Sequence, residues 1–177
     1  MNRWDAILKR LPETSVIGAE IGVLEGENAF NLLKAKDNLT LYLVDIWKAW
    51  PGDSRYVRSQ DYNALWPEEK WEEIYNKVVS VASTFGARAI IIRELSVEAA
   101  KRIENNFLDF VFIDAEHGYE ACTEDIEAWY PKVKKGGWLC GHDWGDFWQI
   151  DKAVSDWANK HGYEIELDVD NTWFVKV

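Results

Sequence analysis

From Ser15 onward the chain alternates short apolar runs with segments of helical periodicity, and this pattern constrains its fold more than any other feature. "SVIGAEIGV" (15–23), "LTLYLVDIW" (39–47), "ARAIIIREL" (87–95), the apolar half of "LDFVFIDAEHGYE" (108–120) and "WLCGHDW" (138–144) read as strands. Between them, 25–36, 97–107, 119–133 and 148–162 carry helical spacing, with Ser96 placed to cap the second and Gly162 to stop the last. "YEIELDV" (163–169) and "TWFVKV" (172–177) read as a closing antiparallel pair around Asp170-Asn171. Trp4, Ile7, Leu8 and Leu11 make a short amphipathic helix ending near Pro12. Such alternation implies an α/β domain with a largely parallel sheet, and 177 residues suit a single domain, 1–177.

One segment departs from the rhythm. Residues 48–86 exceed an ordinary crossover and carry Trp50, Tyr56, Tyr62, Trp66 and Trp71. The half up to Pro67 reads as loop and the rest as helix. Such a segment is either a lid and substrate wall or an extra packing layer. Eleven Trp exceed what one core needs, so some are expected on a binding surface or a subunit interface.

A net charge of −11 argues against nucleic-acid or anionic-membrane partners and favours small neutral or cationic ligands. The densest basic cluster, Lys132, Lys134 and Lys135, adjoins Gly136-Gly137 and reads as a turn. Cys122 falls in a helical pattern and Cys140 in a strand, so no structural disulfide is expected and a cytoplasmic location is. No signal peptide or membrane-spanning run is evident.

The first strand ends in "GAEIGVLEGEN" and leads into a helix, as a nucleotide-binding loop does, but its spacing matches neither common phosphate-binding motif. Glu20, Glu25 and Glu27 surround a helix start where a pyrophosphate would need positive potential. Helix-dipole effects account for Glu25 and Glu27; Glu20 belongs to the strand end. The loop therefore suits a ligand with cationic groups and no phosphate. Asp45, ending the second strand, is placed to accept hydrogen bonds from ribose hydroxyls. S-adenosylmethionine, with an ammonium, a sulfonium, a ribose and no phosphate, meets every requirement, and NAD does not.

The order E-x-G-x-x-x-G (Glu20, Gly22, Gly26), then "LVDIW", then "IDAEHGYEACTEDIEAWYPKVKKGGWLCGHDW", resembles class I S-adenosylmethionine-dependent methyltransferases. The closest similarity is to the branch with macrocin-type sugar O-methyltransferases and related small-molecule enzymes, and it spans roughly residues 15–177. The resemblance implies a Rossmann-like seven-stranded sheet of order 3-2-1-4-5-7-6 with strand 7 antiparallel. It also implies cofactor contacts at Glu20, Gly22, Gly26, Asp45, Ile46, Ser96 and Asp114.

In such a sheet "IDAEH" and "GHDW" emerge on one rim, which brings Asp114, His117, His142 and Asp143 together. Two roles suit the cluster. His117 is the candidate general base for an acceptor hydroxyl, where catechol-type relatives place a lysine. Asp114, His142 and Asp143 are candidate ligands of a divalent cation, Mg2+ or, given the histidine, Mn2+. Those relatives have an acid and an amide at the positions of His142 and Asp143, so the chain departs from their pattern. Singly, each residue could be a capping or structural group. Glu116 reads as a bystander, and His161 as the last residue of its helix. Segment 47–71 would form the substrate wall, with Trp144 and Trp148 opposite. Many relatives have a longer N-terminal cap, so the 48–86 segment or a homodimer partner is expected to close the site. The leading expectation is O-methylation of a small sugar, polyol or phenolic. N-methylation of a small amine and a non-catalytic cofactor-binding homologue are the competing readings.

Overall fold

The computed structural model describes all residues except 59–60, 62 and 146–148. Seven strands form one sheet: β1 (Val16–Ile21), β2 (Leu39–Asp45), β3 (Ala89–Arg93), β4 (Leu108–Ile113), β5 (Val133–Gly141), β6 (Ile165–Asp168) and β7 (Thr172–Lys176). Their order is β3-β2-β1-β4-β5-β7-β6. The first five are parallel, and β7 runs antiparallel to both neighbours, as the resemblance implied.

Strand alternation splits the core in two. Phe110 and Phe112 of β4 face a layer built with α1 (Arg3–Leu8), α2 (Glu27–Ala35) and α4 (Glu68–Ser83). Val111 and Ile113 face the layer of α5 (Ser96–Ala100), α6 (Tyr119–Trp129) and α7 (Ile150–His161). Burial on both faces explains why β4 is apolar without a break from Phe110 to Ile113. A short helix, α3 (Arg55–Arg58), lies within the long segment after β2.

Several boundaries differ from the sequence expectation. The 97–107 helix is only Ser96–Ala100: Lys101, Arg102 and Ile103 donate to carbonyls three residues back, and further on Asn106, with a left-handed φ of 55°, and Phe107 donate to the Pro131 and Lys132 carbonyls. Its N-cap is Leu95, so Ser96 is the first helical residue and not the cap. The 119–133 helix gives way to a 3-10 turn over Tyr130–Lys132, where Pro131 cannot donate. Gly136-Gly137 is not a turn before β5 but lies inside it. Pairing jumps from Leu108↔Val133 to Phe110↔Trp138, a bulge that Gly136 permits with φ 82°. The closing hairpin turns on Asp170 and Asn171, both left-handed, as a type I′ geometry requires. The predicted start of the last helix at Trp148 falls outside the described residues; Gly162 does cap its end. Cys122 and Cys140 are buried and free, and among the described residues no helix is long and apolar enough to cross a membrane.

Candidate active site

A cavity of about 710 Å³ opens at the carboxyl ends of β1, β2, β3 and β4 and of β5, the position where an open parallel sheet parts its loops. All ten sequence-nominated residues border it or shape its wall: Glu20, Gly22, Asp45, Ile46, Ser96, Asp114, His117, His142 and Asp143 line it, and Gly26 turns the chain behind it.

The glycine loop is built by close approach. Gly22 has φ 86°, donates its N–H to the Val44 carbonyl, and passes so near the β4–α6 loop that a Cβ would lie 2.0 Å from the Asp114 carbonyl oxygen. Gly22→Ala is therefore expected to cost at least about 1–3 kcal/mol from backbone strain alone. A thermal melt should fall by several degrees or more; an unchanged melting temperature would show that the loop has room to move. Gly26, also left-handed, is the N-cap of α2.

Glu20 is 2% exposed. Burial, with Asp114 nearby, pushes its carboxyl up to about 8, above the usual carboxylate range. Asn28 of α2 donates to Glu20 Oε2 at 3.1 Å, while its own Oδ1 is buried with no hydrogen-bond donor among the described residues. This buried carboxyl and unsatisfied amide oxygen, beside a backbone cradle that a side chain would fill, fit a ligand ammonium. Asp45 accepts the Leu24 and Trp47 N–H groups, each at 2.9 Å, and so ties the glycine loop to the start of the long segment. Asp45 also borders the cavity, where a carboxylate can accept from ligand hydroxyls. Burial raises its carboxyl.

At the β4 and β5 ends the predicted cluster is assembled. His117 Nδ1 lies 2.5 Å from Asp61 Oδ2, and its Nε2 lies 2.7 Å from Asp143 Oδ2 and 3.9 Å from Asp114 Oδ1. Burial alone would lower the imidazole; hydrogen bonding to Asp114, Asp143 and Asp61 overrides it and pushes His117 up to about 12. His142 Nδ1 lies 2.8 Å from Asp143 Oδ1 and 3.7 Å from Asp114 Oδ1, and is raised by the same carboxylates against the effect of burial. Asp143, although buried, is held well below the usual carboxylate range by His117 and His142. Asp114, His117 and Asp143 present ligand atoms within 4.8 Å of one another, so two carboxylates and one imidazole converge as a cation site would need. His142 faces the same two carboxylates from the next strand.

Some participants were not anticipated. Arg3 of α1 reaches Asp114 Oδ2 with Nη1 at 2.5 Å. Asp61, from the long segment, also accepts the Tyr56 hydroxyl at 3.2 Å. Asn28 and Asp125, polar residues on otherwise inward helix faces, could have been found by that periodicity; Arg3 and Asp61 carry no such signal. Glu116 is not a bystander. With Glu124 it grips Arg55, Nε to Glu116 Oε1 at 2.8 Å and Nη2 to Glu124 Oε2 at 2.9 Å, and so fastens α3 over the cavity.

The long segment contributes side chains both to the core and to the cavity lining. Trp47 is wholly buried, Tyr56 and Trp71 belong to the core, and Trp50, Tyr56 and Trp71 also line the cavity. Trp66 packs on Trp71, ring centres 5.4 Å apart, and does not line it. Trp144 packs against the α6–α7 side of the core and does not form the expected opposite wall. Tyr62 and Trp148, the other nominated aromatics, lie outside the described residues.

Comparisons with known proteins agree with this geometry. A family model described as a methyltransferase domain matches residues 19–144. The structure of the O-methyltransferase NovP is similar with a TM-score of 0.66 at 18% identity, over 97% of this chain and 74% of NovP. The calicheamicin methyltransferase CalS11 gives 0.71 at 13%, over 98% and 76%. A SAM-dependent methyltransferase from Aquifex aeolicus gives 0.63 at 14%, over 98% and 88%. No curated protein sequence matches the chain. At these identities the solved structures speak for the fold, while the family model spans the stretch from the glycine loop to the rim of β5. The chain thus belongs to the methyltransferase domain family and is an S-adenosylmethionine-dependent methyltransferase.

Proposed function

We propose that the acceptor is a small hydroxylated molecule (a sugar, polyol or phenolic) methylated on oxygen, with His117 receiving the hydroxyl proton. The observation that carries this reading is the placement of His117, gripped by Asp61 at Nδ1 and presenting Nε2 toward Asp114 and Asp143 in the cavity that Glu20 and Asp45 also border. When bound, S-adenosylmethionine supplies a methyl group on a positively charged sulfur, open to in-line attack by the acceptor oxygen. Glu20 and Asn28 would hold the ammonium and Asp45 the ribose, and the aromatic wall of Trp50, Tyr56 and Trp71 would exclude water around the acceptor.

His117 cannot accept a proton while its flanking carboxylates keep it protonated. The charge on Asp114 and Asp143 must therefore be offset before it acts. Those two carboxylates, with His142, have the donor types for Mg2+ or Mn2+, which leaves His117 Nε2 for the proton. A divalent cation held there would lower both His117 and the acceptor hydroxyl. Two roles that are separate in the sequence would thereby be coupled: the base would work once the carboxylates are neutralised. Mn2+ titration followed by electron paramagnetic resonance should show one bound ion per chain, with binding lost in Asp143→Ala. Equal binding by the variant would remove Asp143 from the ligand set.

Turnover of a panel of hydroxylated acceptors, followed as S-adenosylhomocysteine release, tests the function itself. Methyl incorporation on oxygen is expected. Faster turnover of matched amines would replace the O-methyltransferase reading with N-methylation.

A further inference from the structure

One buried carboxylate in the cavity is used by neither the glycine loop nor the His117 cluster. Asp125 of α6 is 6% exposed and lines the cavity beside Ser96, Val97 and Ala121. Its Oδ1 accepts the Ser96 hydroxyl, and Ser96 Oγ in turn accepts Trp129 Nε1–H at 2.9 Å. The direction of this chain is fixed at its origin, because an indole nitrogen only donates. Ser96 therefore spends its single donor on Asp125 and has none for a ligand. Asp125 Oδ2 accepts no hydrogen bond from any described residue, whereas Glu94, the other carboxylate at this end of the β3 rim, is paired with Arg102.

A buried carboxylate that borders a cavity with only one oxygen anchored calls for an N–H donor from the ligand. The surroundings suit a flat heterocycle, since Ile46, Leu95 and Val97 line the same part of the wall as Ser96. Nearby Glu116 and Glu124 are already paired with Arg55. We propose that Asp125 reads the exocyclic amine of the cofactor's purine, with Ser96 and Trp129 as its positioning residues. The inference rests on the S-adenosylmethionine assignment and adds to it a residue that sets purine specificity. Ser96 then contributes to cofactor binding by orienting Asp125.

The test compares binding of S-adenosylhomocysteine and its deaminated analogue S-inosylhomocysteine by calorimetry. The analogue presents a carbonyl oxygen where adenine presents the amine, so two acceptors would face each other. Measurements at pH 8.5 keep Asp125 ionised, above the value of about 7 to which burial lifts it. The wild-type protein should prefer the adenosyl ligand by about 100-fold or more, since a site built around a ligand N–H leaves a buried group unpaired when it is absent. Asp125→Asn, which can donate to the carbonyl, should compress that preference below about tenfold. Asp125→Ala should compress it similarly and serves if the first variant does not fold. A wild-type preference under tenfold, or variants that lose both ligands equally with the ratio intact, would overturn the proposal and leave Asp125 structural. A wild-type protein that binds neither ligand would overturn the cofactor assignment as well.

Discussion

Glu20→Gln is expected to weaken S-adenosylhomocysteine binding by roughly 10- to 150-fold, the equivalent of losing a charge-assisted hydrogen bond of about 1.5–3 kcal/mol. The same change should make the empty protein more stable at alkaline pH. Burial raises the folded-state Glu20 carboxyl to about 8, well above its ordinary value. A raised acid contributes its stability below the unfolded value of 4.5, and that contribution is lost as pH rises toward 8. Glutamine has no proton to lose, so the melting temperature of the variant should gain on that of the wild type between pH 5 and pH 9. Parallel curves for the two proteins would show that Glu20 ionises without cost. A variant that is more stable and binds worse would identify Glu20 as a group kept for function at the expense of the fold.

His117→Ala is expected to reduce turnover by about 10²- to 10⁴-fold, the usual contribution of a positioned proton acceptor. S-adenosylhomocysteine affinity should stay within a few-fold, because Glu20, Asn28 and Asp45 lie on other elements. The substitution also leaves Asp61 and Asp143 without the imidazole they flank. Its effect on stability has a definite sign. A histidine whose folded value is raised contributes stability that is fully present below its ordinary 6.5 and declines as pH rises toward 12. The stability gap between wild type and variant should therefore be largest at mildly acidic pH and narrow toward alkaline pH. Full turnover in the variant, with a cation supplied, would assign proton removal elsewhere.

Much of this arrangement could be read from the chain, and the remainder was hidden for identifiable reasons. Strands buried on both faces announce themselves as apolar runs, so β1, β2, β4 and the polar residues leaving them were legible. The strand order came from the resemblance and not from periodicity. Boundaries failed where backbone conformation, not hydrophobicity, decided them, as at Asn106 and in the Gly136 bulge. The convergence of Asp114, His117, His142 and Asp143 followed from two adjacent strand ends. Asp61 and Arg3 could not be anticipated, because a loop acid and a helical arginine are ordinary surface residues until tertiary packing aims them at His117 and Asp114. Asn28 and Asp125 did leave a trace. Asn28 sits four residues before buried Leu32, and Asp125 three after buried Cys122 and four before buried Trp129. A polar side chain on a buried stripe must find a partner, and here both are directed to the cavity.

The central claim is that the cavity at the β1–β2–β4 rim binds the cofactor through a buried carboxyl that must ionise to do so. Titrating the protein with S-adenosylhomocysteine at pH 7, in two buffers of different ionisation enthalpy, tests this directly. The account predicts one site per chain, net proton release on binding that shrinks in Glu20→Gln, and affinity that rises with pH up to about pH 8, as expected when the ligand selects the ionised carboxylate of a group titrating near that value. Absence of binding at millimolar ligand, or binding with no proton released and no dependence on Glu20, would contradict it.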